Sequence, residues 1–281
     1  MIPREAHEQN LRVLLAPIAA LIDDRSVSEI MINGPDRVYV EREGRLYETE
    51  HRFDGWQGLM AAVRAVAQYA GRSISPEAPV LEARLPDGSR LEAIIPPAAP
   101  DGPIVSIRRF TRSRSSLDQL VQRGSLSAAG AQLLRSTVES RRNVLVSGGT
   151  GSGKTSLLNA LARFIADGER VIVIEDAREL QLHHEHVVQL EARPADARGR
   201  GEVSVRQLFK ATLRLRPDRI VLGEIRGAEA LELIQAMTSG HGGCLATIHA
   251  TSPADALARL ETLTLMSDVD LPLWALRAQI A

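Results

Sequence analysis

The stretch Ser147-Gly148-Gly149-Thr150-Gly151-Ser152-Gly153-Lys154-Thr155 constrains this chain more than any other segment. An apolar run, Val144-Leu145-Val146, precedes it, and Ser156-Leu157-Leu158-Asn159-Ala160-Leu161 follows with apolar residues at helical spacing. Strand, glycine-rich turn and helix, in that order, let a backbone turn several N–H groups toward a polyphosphate at the positive end of a helix dipole. The pattern predicts that Lys154 reaches the β- and γ-phosphates and that the Thr155 hydroxyl holds Mg²⁺. Gly148, Gly149, Thr150, Gly151, Ser152, Gly153 and Ser156 complete the expected cradle. The chain is therefore expected to bind a nucleoside triphosphate with Mg²⁺.

Composition narrows the rest. A chain of 281 residues has room for two domains, each with its own core. A net charge of −1 gives no overall basic field for nucleic acid, and 3% aromatics leave few platforms for stacking bases, so no direct nucleic-acid contact is expected. Cys244 is the single cysteine, which excludes an intramolecular disulfide and fits a reducing compartment. The start, Met1-Ile2-Pro3-Arg4-Glu5-Ala6-His7, is polar and acid-bearing, unlike a secretion signal, and no apolar run is long enough to span a bilayer. A cytoplasmic protein that meets membranes through a partner or a surface contact is the expectation.

Along the chain, Leu11, Leu14, Leu15, Ile18 and Leu21 or Ile22 predict a first amphipathic helix. Extended runs at 29–32 and 37–41 flank the turn Asn33-Gly34-Pro35-Asp36, a helix fits 56–70, and further extended runs fall at 80–85, 90–95 and 104–109. Residues 1–110 read as a small α+β domain and 111–125 as a linker, because Thr111 to Ser116 change the composition abruptly. From 126 to 281, strands at 143–147, 170–175, 219–223 and 244–248 alternate with helices at 127–140, 154–166, 204–214, 227–238 and 253–265. Such alternation predicts an α/β domain with a mostly parallel sheet. The chain ends in a helical pattern, 273–280, with no terminating cap, and further structure beyond it is expected.

Three segments can supply the remaining chemistry. Val171-Ile172-Val173-Ile174-Glu175-Asp176 is a buried-type strand ending in two acids. Arg216-Pro217-Asp218 through Gly223-Glu224-Ile225-Arg226 sets Glu224 at the end of another apolar strand, the edge where open α/β sheets bind ligands. Ser239-Gly240-His241 through His249-Ala250 carries two histidines flanking a short strand. His183-His184-Glu185-His186 tempts a metal reading, but only His184 and His186 share a strand face, short of the usual four ligands. Arg193 to Gly201 reads as a solvated loop.

These boxes, in this order behind the phosphate loop, resemble the type II/type IV secretion and pilus-assembly ATPases. The likeness is closest to the Tad-pilus (CpaF-like) type, through Asn33 to Glu41, Leu85 to Arg90 and Arg259-Leu260-Glu261-Thr262. It implies a RecA-like P-loop ATPase domain behind a PAS-like α+β domain, a homohexameric ring with ATP between the domains, and a motor at the inner-membrane face that works with platform proteins of a pilus or secretion system. Conjugative type IV secretion is the alternative within the family, and a small-molecule P-loop kinase the alternative outside it. The resemblance further implies that Glu175 orients or deprotonates the attacking water, that Glu224 holds Mg²⁺ through water, and that His241 and His249 couple the γ-phosphate to domain closure. It also sets Arg90, Arg108 and Arg109 against the phosphates; taken alone, these three would read as solvated strand charges.

Overall fold

The computed structural model describes residues 4–110, 116–195, 199–269 and 271–280. The described residues up to Phe110 form one compact unit and those from Ser116 onward a second.

The first unit opens with α1 (Arg4–Leu14), a 3-10 turn (Ala16–Ile18) and α2 (Ala19–Asp23). The single helix expected over residues 11–22 is thus broken where Pro17, which has no N–H to give, enters the first turn of the 3-10 segment. Then come β1 (Val27–Asn33), β2 (Val38–Arg42), β3 (Arg45–Glu48), α3 (Gly55–Tyr69), β4 (Val80–Arg84), β5 (Arg90–Ile94) and β6 (Ile104–Arg108). They form an antiparallel sheet in the order β3-β2-β1-β6-β5-β4. Alternate residues (Ile30, Ile32, Val38, Val40, Leu91, Ala93, Val105 and Ile107) are buried against Leu11, Ile18, Leu59, Val63 and Val66 of the helical layer. The sheet therefore has one dry face and one polar face, as antiparallel sheets commonly do. The edge strand β3 escapes sequence reading because all four of its residues are exposed and show no alternation.

The second unit contains α4 (Leu117–Gln122), α5 (Ala128–Glu139), β7 (Val144–Gly148), α6 (Lys154–Ala162), β8 (Val171–Glu175), β9 (Val187–Glu191), α7 (Val205–Thr212), β10 (Arg219–Ile225), α8 (Glu229–Thr238), β11 (Leu245–His249), α9 (Pro253–Leu265) and α10 (Leu273–Ile280). Its sheet is parallel throughout, in the order β7-β11-β10-β8-β9. Ile172, Ile174, Ile220, Leu222 and Ile248 pack on one face with residues of α7 to α10, and Val171, Val173, Val146 and Leu245 on the other with Leu117, Val138 and Leu158. All five residues of β8 are buried, so the apolar run that marks it is a strand covered on both faces.

Three differences from the sequence expectation are local. Residues 111–115 of the expected linker lie outside the described residues, but 117–122 are helical, started by a capping box between Ser116 and Gln119. The helix expected to reach residue 166 ends at Ala162 and tightens into i→i+3 turns, Phe164 N–H to Leu161 O and Ile165 N–H to Ala162 O. The short strand β9 extends the sheet beyond β8. No helix among the described residues is long and apolar enough to cross a membrane.

Candidate active site

In a parallel sheet every strand ends on the same edge. Here β7 runs into the glycine loop, and β8, β10 and β11 finish at Glu175, at Glu224-Ile225 and at His249. Ligands of open α/β sheets bind outside this carboxyl edge.

The loop between β7 and α6 is shaped by conformations that side chains resist. Gly151 and Gly153 have φ of +70° and +90°, with open space where a Cβ would stand, as at Gly149. Gly148 is required for a different reason, since a Cβ there would collide with the Ser152 side chain. Lys154 Nζ and Ser152 Oγ each donate to the Gly149 carbonyl at 2.8 Å, which draws the loop over the start of α6. Thr155 and Ser156 follow in the first turn of that helix, where backbone N–H groups have no intrahelical acceptor. Asn159 is buried and accepts the Gln181 N–H at 2.9 Å, tying α6 to the segment that follows β8.

Glu175 is 3% exposed. Its Oε1 accepts the N–H groups of Glu179 and Leu180 at 2.8 and 2.9 Å. Burial nevertheless pushes its carboxyl up to about 7, with the nearby Glu179 and Glu191 charges adding to the rise and the two N–H donors opposing it. The neighbouring strand makes room for this side chain: a Cβ on Gly223 would lie 2.8 Å from Glu175 Cγ. At the same place β10 carries an extra residue, because Leu222 pairs with Ala246 but Ile225 pairs with Ile248. A bulge of this kind re-aims a side chain. The Gly223 carbonyl accepts from Thr247 Oγ1 at 2.5 Å, and Glu224 turns to the carboxyl edge.

There Glu224 Oε1 lies 2.7 Å from His249 Nε2, while its Oε2 accepts from Arg226 Nε at 2.5 Å. Arg226 also reaches Asp176 Oδ2, at 3.2 Å. Glu224 and His249 are thus brought together, and β8 and β10 are hydrogen-bonded neighbours. His241 is not brought to them. It precedes β11, at the amino edge, where the Gly243 and Cys244 N–H groups bond to Asn143 Oδ1 at 2.9 and 3.0 Å. His241 lies before the start of β11 and His249 is its last residue, so within one chain the two histidines stand at opposite ends of the strand. A buried ion pair occupies that amino edge, with Arg219 Nε on Glu169 Oε2 at 2.5 Å and Arg219 NH1 on the Gly243 carbonyl at 3.2 Å.

In the first unit, Arg90 and Arg108 stand directly opposite one another on β5 and β6, and Arg84 on β4 faces Arg90. Sequence pattern alone does not single out Arg84; the register adds it. Arg90 also bonds Glu82 at 2.8 Å. Arg109 lies one residue past β6 and braces the end of α2 instead, its NH1 donating to the Leu21 and Asp24 carbonyls at 3.0 and 3.1 Å. Of the histidine run, His184 Nε2 lies 3.0 Å from Ala166 O and His186 Nε2 lies 2.5 Å from Arg170 NH1, a cation where a metal reading would need a further ligand. Arg193 and Val203 exchange backbone hydrogen bonds at 2.8 Å, closing the base of the expected loop, of which 196–198 lie outside the described residues.

A parallel sheet with a phosphate loop after one strand and acids ending two others is the arrangement of a P-loop nucleoside triphosphatase. The family model for type II/IV secretion system proteins matches residues 13–280. A conjugal transfer protein of Mycobacterium tuberculosis is 36% identical over 284 residues, 97% of this chain and 80% of that one. The type IV secretion system protein PtlH of Bordetella pertussis is 36% identical over 283 residues, 91% of this chain and 83% of its own. The crystal structure of the Legionella pneumophila ATPase DotB shares the fold with a TM-score of 0.65, at 19% identity over 95% of this chain and 73% of that one. The chain belongs to the type II/IV secretion system protein family, and its phosphate loop and strand-end acids make it an ATPase of that family.

Proposed function

We propose that this protein is the ATP-hydrolysing motor of a type IV secretion or conjugal transfer system, acting as a homohexamer at the inner-membrane face. The observation that carries the reading is the gathering of the lysine loop, Glu175, Glu224 and His249 on one sheet edge. Lys154 and the loop amides bind the phosphates. Thr155 Oγ1 and Glu224 form the hydroxyl-plus-carboxylate donor set that suits Mg²⁺, an ion usually held by one or two carboxylates, phosphate oxygens and water. When bound, Mg²⁺ supplies charge neutralisation on the phosphates. Glu175 is the base: a carboxyl near 7 is half-ionised at neutral pH, so it can both accept a proton from water and return it. Glu224, bonded by the Arg226 guanidinium and 2.7 Å from His249 Nε2, orients rather than deprotonates. Arg90 and Arg108 are proposed to meet an anion, which two like charges directly opposite on neighbouring strands favour.

Relatives named for conjugal transfer and type IV secretion favour this assignment over the Tad-pilus type suggested by residues 33–41, 85–90 and 259–262. Membership of the secretion family also weighs against the small-molecule kinase. Phosphate release from ATP, measured together with mass in solution with and without a nonhydrolysable analogue, tests the reading. Turnover to water by a sixfold assembly is expected. A monomer under all conditions would sink the ring motor, and a phosphorylated small molecule as product would restore the kinase.

A further inference from the structure

We infer that Arg226 is a positioning residue for metal-assisted hydrolysis: one guanidinium fixes the strand-end carboxylates Glu224 and Asp176 so that Glu224 is held ready for the metal's water shell. Arg226 Nε and NH2 both lie 2.5 Å from Glu224 Oε2, and NH1 lies 3.2 Å from Asp176 Oδ2. Asp176 directly follows Glu175, so the residue ties the end of β10 to the end of β8, the two strands that carry the acids of the site. Without a shared cation, two carboxylates drawn to one edge would repel and part.

The backbone beneath this side chain is built to stay put. Glu229 is 7% exposed, and its Oε1 accepts the N–H groups of Arg226 at 2.7 Å and Gly227 at 2.8 Å. A carboxylate is costly to bury, and this one is committed to two N–H groups of a turn. A Cβ on Gly227 would lie 3.2 Å from Glu229 Oε2, so the turn and its acid fit closely. The planar fork of arginine reaches two carboxylates at once, which lysine, a point charge, does not. The bland alternative is a surface ion pair. Arg226 is 54% exposed, and exposed pairs add little stability, so removing it should leave the fold intact while disturbing the metal.

The inference rests on the proposed role of Glu224, and the experiment separates the two. Mn²⁺ affinity of the ADP complex, read by electron paramagnetic resonance, and the Mg²⁺ concentration for half-maximal ATP turnover are measured for the full chain and for Arg226→Gln, Arg226→Lys and Glu224→Gln. Arg226→Gln should melt like the parent and bind ADP without metal as the parent does. Its Mn²⁺ affinity and its Mg²⁺ half-saturation should weaken by about 10–100-fold, the usual effect of losing a group that orients a metal's protein partner. Arg226→Lys should recover part of both. Unchanged metal affinity in Arg226→Gln, beside weakened affinity in Glu224→Gln, would overturn the inference and spare the role of Glu224. Unchanged affinity in Glu224→Gln would overturn both.

Discussion

Replacing Glu175 by Gln should raise stability and abolish turnover together, each with its own pH dependence. The group ionises at about 7 in the fold against an ordinary 4.5, because burial disfavours its charged form. The folded state therefore holds a proton that the unfolded chain releases, and stability falls as pH rises from 4.5 to about 7, then levels. Above that window the penalty is about 3 kcal/mol, the worth of the displacement from 4.5 to about 7. Gln removes it while its amide oxygen can still accept from Glu179 and Leu180. Between about pH 5.5 and about pH 8.5 the advantage of the variant should grow by about 2 kcal/mol, roughly 4–8 °C in melting temperature. Paired thermal melts at the two pH values measure it. Parent turnover at saturating ATP should climb through about pH 7 as the base ionises, and the variant should bind nucleotide yet turn over about 10²–10⁴-fold more slowly. A melting difference that does not change with pH would refute the buried-carboxylate account, and near-parent turnover in the variant would refute the base.

At the amino edge, Glu169→Ala leaves Arg219, 2% exposed, without its charge partner and should cost about 3–5 kcal/mol in denaturant melts; a loss no larger than that of an exposed ion pair would refute the buried network. His249→Ala should lower turnover by about 10–100-fold through Glu224, whereas His241→Ala should leave turnover per folded monomer site unchanged in single-turnover assays. Equal losses in both would mean that His241 acts from another copy of the chain.

What the sequence makes legible is what local chemistry dictates. The phosphate loop can be read because its positive-φ glycines and its lysine lie within a few residues of one another. Strand β8 can be read because a strand buried on both faces must be apolar throughout. The setting of Glu175 is not legible: it depends on a missing Cβ at Gly223, on a different strand, and on a bulge that appears only when β10 and β11 are aligned. Arg226 is visible only as the tail of a strand motif, and its partnership with Asp176 comes from two strands being neighbours out of sequence order. In the first unit, the match of Arg84 to Arg90 and Arg108 likewise follows from register.

The two histidines show where proximity in sequence misleads. His241 and His249 are eight positions apart and read as one box. His249 is the last residue of a five-residue parallel strand that starts after His241, and at about 3.3 Å per residue this strand carries the chain on the order of 15 Å from the amino to the carboxyl edge. One histidine therefore joins the acids at the carboxyl edge of the sheet. The other joins a loop held by Asn143 and by the buried Arg219 pair, whose NH1 bonds the Gly243 carbonyl. Gly243 has φ +84°, and a Cβ there would strike the Arg219 guanidinium, so this loop and the ion pair require each other. His249 Nε2 stands 2.7 Å from Glu224 Oε1, so a displacement of that carboxylate bears on His249 directly. Coupling between the two rings has more than one route through the second unit: along β11, and through α8, whose Ala236 carbonyl accepts the His241 N–H at 3.1 Å.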